Sequence, residues 1–196
     1  MKLSRIITVI AVIAVSAVFV SAQSQARKPE LKTVPSVDLQ KYAGKWYEIA
    51  RYPNRFQKQC VGNTMATYNL KPNGRVEVIN ECLKKDGTMD RAKGDARIVD
   101  KTTNAKLEVR FAPAFLSFIP VVWGDYWVID LEKDYKYAAV GDPSRKYLWI
   151  LSRAPTMDEP VYQALLRRLE AQGFDPGKLE KTTQNLETGK GTVLPK

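Results

Sequence analysis

The chain has 196 residues, of which 44% are hydrophobic, 27% charged and 10% aromatic. Its 4 Trp, 9 Tyr and 6 Phe can bury a core, which excludes a low-complexity or generally disordered chain. Histidine is absent and there are two cysteines, so Ser-His-Asp and Cys-His catalysis, His-ligated zinc, copper or haem, and four-thiolate metal centres are all excluded.

The first segment reads as an export signal. Lys2 and Arg5 precede an apolar run over 6–20, broken by Thr8 and Ser16, and small residues follow at Ser21-Ala22 and Ser24-Gln25-Ala26. The run is shorter than the ~20 apolar residues of a membrane span; an uncleaved anchor is the competing reading. No cysteine lies near the cleavage region, so a lipid anchor is not expected. The expected location is the periplasm, with full secretion as the alternative. Without residues 1–26, which carry two cations and no acid, the net charge falls from +10 to +8. That surface favours anionic partners such as lipid headgroups or fatty acids. Nucleic acid is not expected, because no dense Lys/Arg run occurs. Cys60 and Cys82, an even count in an exported chain, read as one disulfide rather than an activated thiol.

Residues 27–36 form an extended lead. A helical turn over 37–42, with Ser36 as its cap, precedes a strand over 45–51. Strands over 61–70 and 75–82 flank Lys71-Pro72-Asn73-Gly74, a strong hairpin signal that brings Cys60 and Cys82 to one end. Further strands are predicted over 94–99, 107–111, 126–131, 136–140 and 147–152, joined by turns. No crossover helix separates them, so the sheet is an antiparallel meander. Eight such strands can close into a barrel that holds one small ligand. A helix over about 157–172 follows, with Thr156 and Glu159 as a capping box and Pro160 in its first turn. Val161, Leu165, Leu166 and Leu169 form its apolar stripe, and Gly173 ends it. The chain thus divides into a cleaved signal (1–26), the lead, a barrel with helix (37–185) and a flexible tail (186–196).

Gly44-Lys45-Trp46-Tyr47-Glu48-Ile49-Ala50-Arg51 resembles the first motif of lipocalins. Asp134-Tyr135-Lys136-Tyr137-Ala138 resembles their second motif, and Tyr147-Leu148-Trp149-Ile150-Leu151-Ser152-Arg153 their third. Gly124-Asp125-Tyr126-Trp127-Val128-Ile129 and Gly141-Asp142-Pro143-Ser144-Arg145 are most similar to plant temperature-induced and bacterial outer-membrane members, with apolipoprotein D nearby. The resemblance implies an all-β fold: an eight-stranded antiparallel up-and-down barrel with one C-terminal α-helix packed outside. It also implies that Gly44, Trp46 and Arg153 close one end, with the guanidinium on the indole face.

From those landmarks, alternation assigns an inner face. Glu48 and Ala50 follow Trp46 inward; Leu151, Trp149 and Tyr147 follow Arg153. Leu107, Val109 and Phe111 form the inner set of the fifth strand. Pairing residue 131 with 136 places Tyr137 and Ala139 inward with Tyr126 and Val128; a one-residue slip turns Trp127 and Ile129 inward instead. Glu48 in an apolar cavity needs a partner, with Arg110 or Arg97 as candidate cations or a polar headgroup as its ligand. The greasy loop over 112–123, with Phe115, Leu116, Phe118 and Ile119, reads as a lid, a transient membrane contact or a homodimer contact.

The expected function is carriage or sequestration of a long-chain lipid, a fatty acid or lysophospholipid, in cell-envelope maintenance under stress. An interaction module using the 112–123 loop is the alternative. An enzyme is not expected; Glu48 with Tyr137 is the one conceivable acid–base pair. No cofactor or metal is expected.

Overall fold

The computed structural model describes residues 30–185. The expected signal segment and tail lie outside them. A short helix α1 (Leu39–Tyr42) leads into β1 (Gly44–Arg51), β2 (Cys60–Leu70), β3 (Val76–Lys84), β4 (Met89–Ile98), β5 (Lys106–Arg110), β6 (Gly124–Leu131), β7 (Tyr137–Gly141) and β8 (Leu148–Ser152). Helix α2 (Glu159–Ala171) and a two-residue strand β9 (Glu180–Lys181) follow. Neighbouring strands pair antiparallel from β2 through β8, then β8 pairs with β1 and β1 with β2, so the eight strands close into a barrel. The ninth strand, on β1, was not predicted.

Turn chemistry and strand alternation set this architecture. The Lys71–Gly74 corner is a hydrogen-bonded turn with Gly74 at φ 76. Strand β4 starts five residues earlier than predicted, at Met89; its first half is largely exposed and lacks the apolar alternation that marks a buried strand. Asp38, not Ser36, caps α1, accepting from the amides of Gln40 and Lys41. No capping box forms at Thr156: α2 begins at Glu159, behind Asp158. Its end follows expectation, since Gly173 at φ 85 lets the Gly173 and Phe174 amides turn back onto the Glu170 and Leu169 carbonyls.

Two apolar cores result. One fills the barrel and centres on Trp46, Tyr42, Tyr68, Val76, Val78, Val128, Val140 and Leu151. The other lies between the barrel wall and α2, where Tyr162, Leu165 and Leu169 pack on Ala50, Ile129, Ala139, Leu148 and Ile150. Tyr162, rather than Val161, supplies the first buried position of the helix. Arg168 fixes the helix with a two-pronged contact to Asp130, at 2.6 and 3.0 Å, and donates to the Tyr137 hydroxyl.

One end of the barrel is plugged. Trp46 is fully buried and donates from Nε1 to the Tyr42 carbonyl at 2.8 Å. The Arg153 guanidinium lies 3.9 Å from the indole centroid and donates to the carbonyls of Lys41, Ala43 and Lys45. Cys60 and Cys82 are joined in a disulfide.

Truncating fully buried Leu165 to Ala is expected to lower unfolding free energy by about 2–5 kcal/mol. Phe118→Ala, at a side chain 78% exposed, should stay within about 0.5 kcal/mol. Urea denaturation of both variants checks the contrast.

Candidate functional site

The barrel interior carries two separate polar stations in an apolar lining. The deeper station is a chain of three phenols. The hydroxyls of Tyr42 and Tyr126 lie 2.8 Å apart, and Tyr126 donates to Tyr68 at 2.8 Å. These side chains come from the α1 corner, β6 and β2, and their rings pack on one another and on Trp46. They border a small, partly open chamber of about 20 Å³, otherwise walled by aliphatic side chains including Val76, Val78, Leu107, Val109 and Val128. Burial pushes the Tyr68 phenol up to about 12 and the other two well above the usual tyrosine range. All three stay protonated at any physiological pH.

The upper station is built on Glu48, which is 3% exposed. Its carboxylate accepts from the Thr182 hydroxyl at 2.5 Å and from the Gln57 amide at 2.7 Å, and lies 3.4 Å from the Arg51 guanidinium. Gln57 in turn accepts from the Trp149 indole at 3.0 Å and from Asn54 at 2.8 Å. Gln184 donates to the main-chain carbonyls of Glu48 and Thr64. The station therefore joins β1, the β1–β2 loop, β8 and the segment after β9. Burial raises the Glu48 carboxyl from its ordinary value, against the opposing pull of Thr182, Gln57 and Arg51. The Arg51 Nε is buried without a hydrogen-bond partner.

Of the residues expected inside, Glu48, Leu107, Val109, Tyr126, Val128, Trp149 and Leu151 lie on or against the interior cluster or the upper station. Phe111 lies beyond β5, 43% exposed, with its ring over Gly94, where an added Cβ would meet it at 2.8 Å. Tyr147 stacks on Trp149 and contacts Phe56 near the mouth. Ala50, Tyr137 and Ala139 are corrections: all three face α2. Extra residues cause the change. The register slips between Glu48 and Ala50, so Arg51 rather than Ala50 shares the face of Trp149. It slips again between Val128 and Asp130, so Val140 pairs with Val128 and Ala139 with Asp130. Ala138 and Val140 are thereby the interior residues of β7. Tyr137 is thus separated from Glu48, which removes that acid–base pair. Arg110 and Arg97 do not serve Glu48 either; they pair with Asp95 and Glu108 and flank Trp123 at 5.1 and 4.3 Å. Sequence reasoning missed Tyr42, Tyr68, Arg51, Gln57 and Thr182.

The mouth is apolar and basic. Phe56, Met89, Phe111, Phe115, Phe118 and Val121 are between 41% and 88% exposed, all in or beside its loops. Leu116, at the end of the first short 3-10 turn of the 111–123 loop, and Ile119, just before the second, are partly covered. Arg55, Lys58, Lys85 and Lys146 are exposed on the same set of loops. Among the described residues, no group of three or more Cys, Asp or Glu side chains is placed to hold a metal ion.

Residues 37–184 match the family model of the lipocalin-like domain. The chain is 44% identical over 160 residues to temperature-induced lipocalin-1 of Arabidopsis thaliana, covering 81% of this chain and 85% of that one. It is 35% identical to the outer membrane lipoprotein Blc of Escherichia coli (89% and 94% covered) and 35% identical to apolipoprotein D of Mus musculus (75% and 77%). Among solved structures, insecticyanin of the tobacco hornworm Manduca sexta superposes with a TM-score of 0.62 at 24% identity, covering 80% of this chain and 85% of that one.

The raised Glu48 carboxyl has a defined signature. A group that holds its proton more tightly when folded contributes stability below its unfolded value near 4.5 and loses it as pH rises through the folded value. Glu48→Gln removes this titration. The difference in melting temperature, variant minus wild type, should rise as pH increases from the ordinary carboxylate range through the raised Glu48 value, as read by thermal melts.

Proposed function

The chain belongs to the lipocalin family, and on that premise we propose that its barrel carries one single-chain lipid, a fatty acid or lysophospholipid. The acyl chain lies in the apolar interior and the headgroup at the mouth. The observation that carries this reading is the division of the interior: aliphatic walls with neutral phenols below, the ionisable Glu48 and the Arg51 cation above. A carboxylate or phosphate meets the half-buried Arg51 guanidinium, and the ammonium of a zwitterionic head meets Glu48. Carriage rather than catalysis fits the side chains available. Both cysteines are bonded to each other, and Glu48 is surrounded by groups that hold it in place.

The open end supports loading from a lipid surface. Its exposed aromatic and aliphatic side chains can enter a bilayer interface. Each nearby Lys or Arg contributes about 1 kcal/mol on an anionic leaflet. The disulfide fits an exported protein in an oxidising compartment, periplasmic or secreted. Lipid carriage there would serve maintenance of the cell envelope under stress. A second reading, a protein or self-association contact through the 111–123 loop, is favoured by the exposure of Phe115, Phe118 and Val121 at 74%, 78% and 88%.

Mass spectrometry of protein purified without detergent from its native envelope should find a stoichiometric fatty acid or lysophospholipid. Titration with saturated acids of increasing length should show affinity rising about fourfold per methylene until the barrel is full. A flat response from short to long chains is the result that defeats carriage.

Phe115→Ser combined with Phe118→Ser should abolish co-sedimentation with anionic phosphatidylglycerol vesicles while leaving fatty-acid affinity in solution unchanged. Loss of concentration-dependent dimerisation in the same variant, with vesicle binding intact, favours the second reading.

A further inference from the structure

The three phenols of the deep station hold three protons but make only two hydrogen bonds with one another. Whichever way the hydroxyls rotate, one O–H remains without a protein acceptor among the described residues. A buried donor left in this state is unfavourable, and the group that satisfies it is favoured by the full difference. The chamber beside the triad has room for one water-sized group. Charge selects the kind of group. None of the side chains bordering the chamber is ionic. Arg153, the cation on the plug, directs its terminal nitrogens to three main-chain carbonyls and lies on Trp46. A carboxylate at this depth has no countercharge, whereas a neutral oxygen needs only the one donor.

We propose that the Tyr42–Tyr126–Tyr68 triad is a binding subsite for a neutral oxygen, a ketone or hydroxyl, carried on the buried part of a lipid chain. This rests on the reading that a lipid enters chain-first, and it narrows the ligand to oxygen-bearing chains over plain ones. The spare phenolic proton donates to the oxygen, and no covalent step is involved. Because burial keeps the phenols protonated, the preference is the same at pH 6 and pH 8, within about a twofold margin. The position of the oxygen matters, since the triad sits at one depth in the barrel. The preference is therefore a peak along the chain, not a general gain from polarity.

The test uses stearic acid and a series of stearic acids carrying one ketone at successive carbons. Each competes against a fluorescent fatty acid on the full protein. One ketone position should bind roughly five- to tenfold more tightly than stearic acid, the worth of about one hydrogen bond. The triple variant Tyr42→Phe, Tyr68→Phe, Tyr126→Phe keeps ring volume and removes all three hydroxyls together, leaving no orphaned donor. It should lose the ketone preference, so that the ketone acids and stearic acid bind alike. A flat ketone profile in wild type, or a peak that survives in the triple variant, overturns the proposal. If the triple variant folds poorly, the wild-type profile still separates a peak from a flat response. Failure of every acid to bind overturns both this subsite and lipid carriage. Equal binding of all acids overturns the subsite and leaves carriage standing.

Discussion

The burial of Trp46 under Arg153 is the constraint on which the barrel depends. An indole with no exposed surface stands at the start of β1, and the guanidinium that covers it follows the end of β8. With the guanidinium only partly buried, this cation–π contact contributes about 1 kcal/mol. The arginine also satisfies the carbonyls of Lys41, Ala43 and Lys45, where the chain enters β1 at Gly44 with φ 92. One contact therefore pins the first and last barrel strands together and closes the base. With that end fixed, the two-residue period of a strand decides which side chains face inward above it. Glu48 and Leu151, direct partners across β1 and β8, are the first interior pair reached.

This dependence also explains what was legible in the sequence. The eight strands were, because turns such as Pro72-Asn73-Gly74 and alternating apolar residues are local signals. The plug was, through the motif around Gly44 and Trp46 and the terminal Arg153. Interior assignments held along each strand until a bulge and reversed after it. Ala50, Tyr137 and Ala139 were placed inside on unbroken alternation, but one extra residue in β1 and another in β6 shift the register. Hydrophobicity could not reveal the shift. The barrel wall is apolar on both sides here, facing the interior on one and α2 on the other, so either register satisfies the pattern. Tyr68 could have been found from its alternation with Ala66 on β2. Tyr42 and Gln57 could not, since they come from a corner and a loop whose direction only the fold sets. Thr182 was equally hidden, because it follows a two-residue strand with no period to read.

The interior segregates its polar chemistry by depth, and each station is stable for a different reason. The phenols below are neutral, so their burial requires only hydrogen bonds, most of which they supply to one another. Glu48 above is ionisable, and burial disfavours its charge. The Thr182 hydroxyl, the Gln57 amide and the neighbouring Arg51 favour the charged form. A charged group as deep as the tyrosines would lack such partners, since only uncharged side chains border the chamber. The same gradient orients an amphiphile. Its apolar chain gains by moving past the upper station, and its ionic head loses if it follows.

The segment after α2 completes that upper station and the wall together. Strand β1 pairs with β2 only over Gly44–Tyr47. Above that point the two strands separate, and β9 takes the free edge of β1 at Ala50 and Arg51. Thr182 donates its amide to the Ile49 carbonyl, and the Asn63 amide donates to the Thr183 carbonyl, so the segment bridges both edges. Gln184 then ties Glu48 to Thr64 across the same gap. An open seam would leave main-chain donors and acceptors unpaired in the barrel wall. Main-chain closure alone would not satisfy the Glu48 carboxylate. The Thr182 side chain, just beyond that strand, adds a hydrogen bond to those of Gln57 and Arg51, so wall integrity and one of the contacts on Glu48 rest on one short piece of chain.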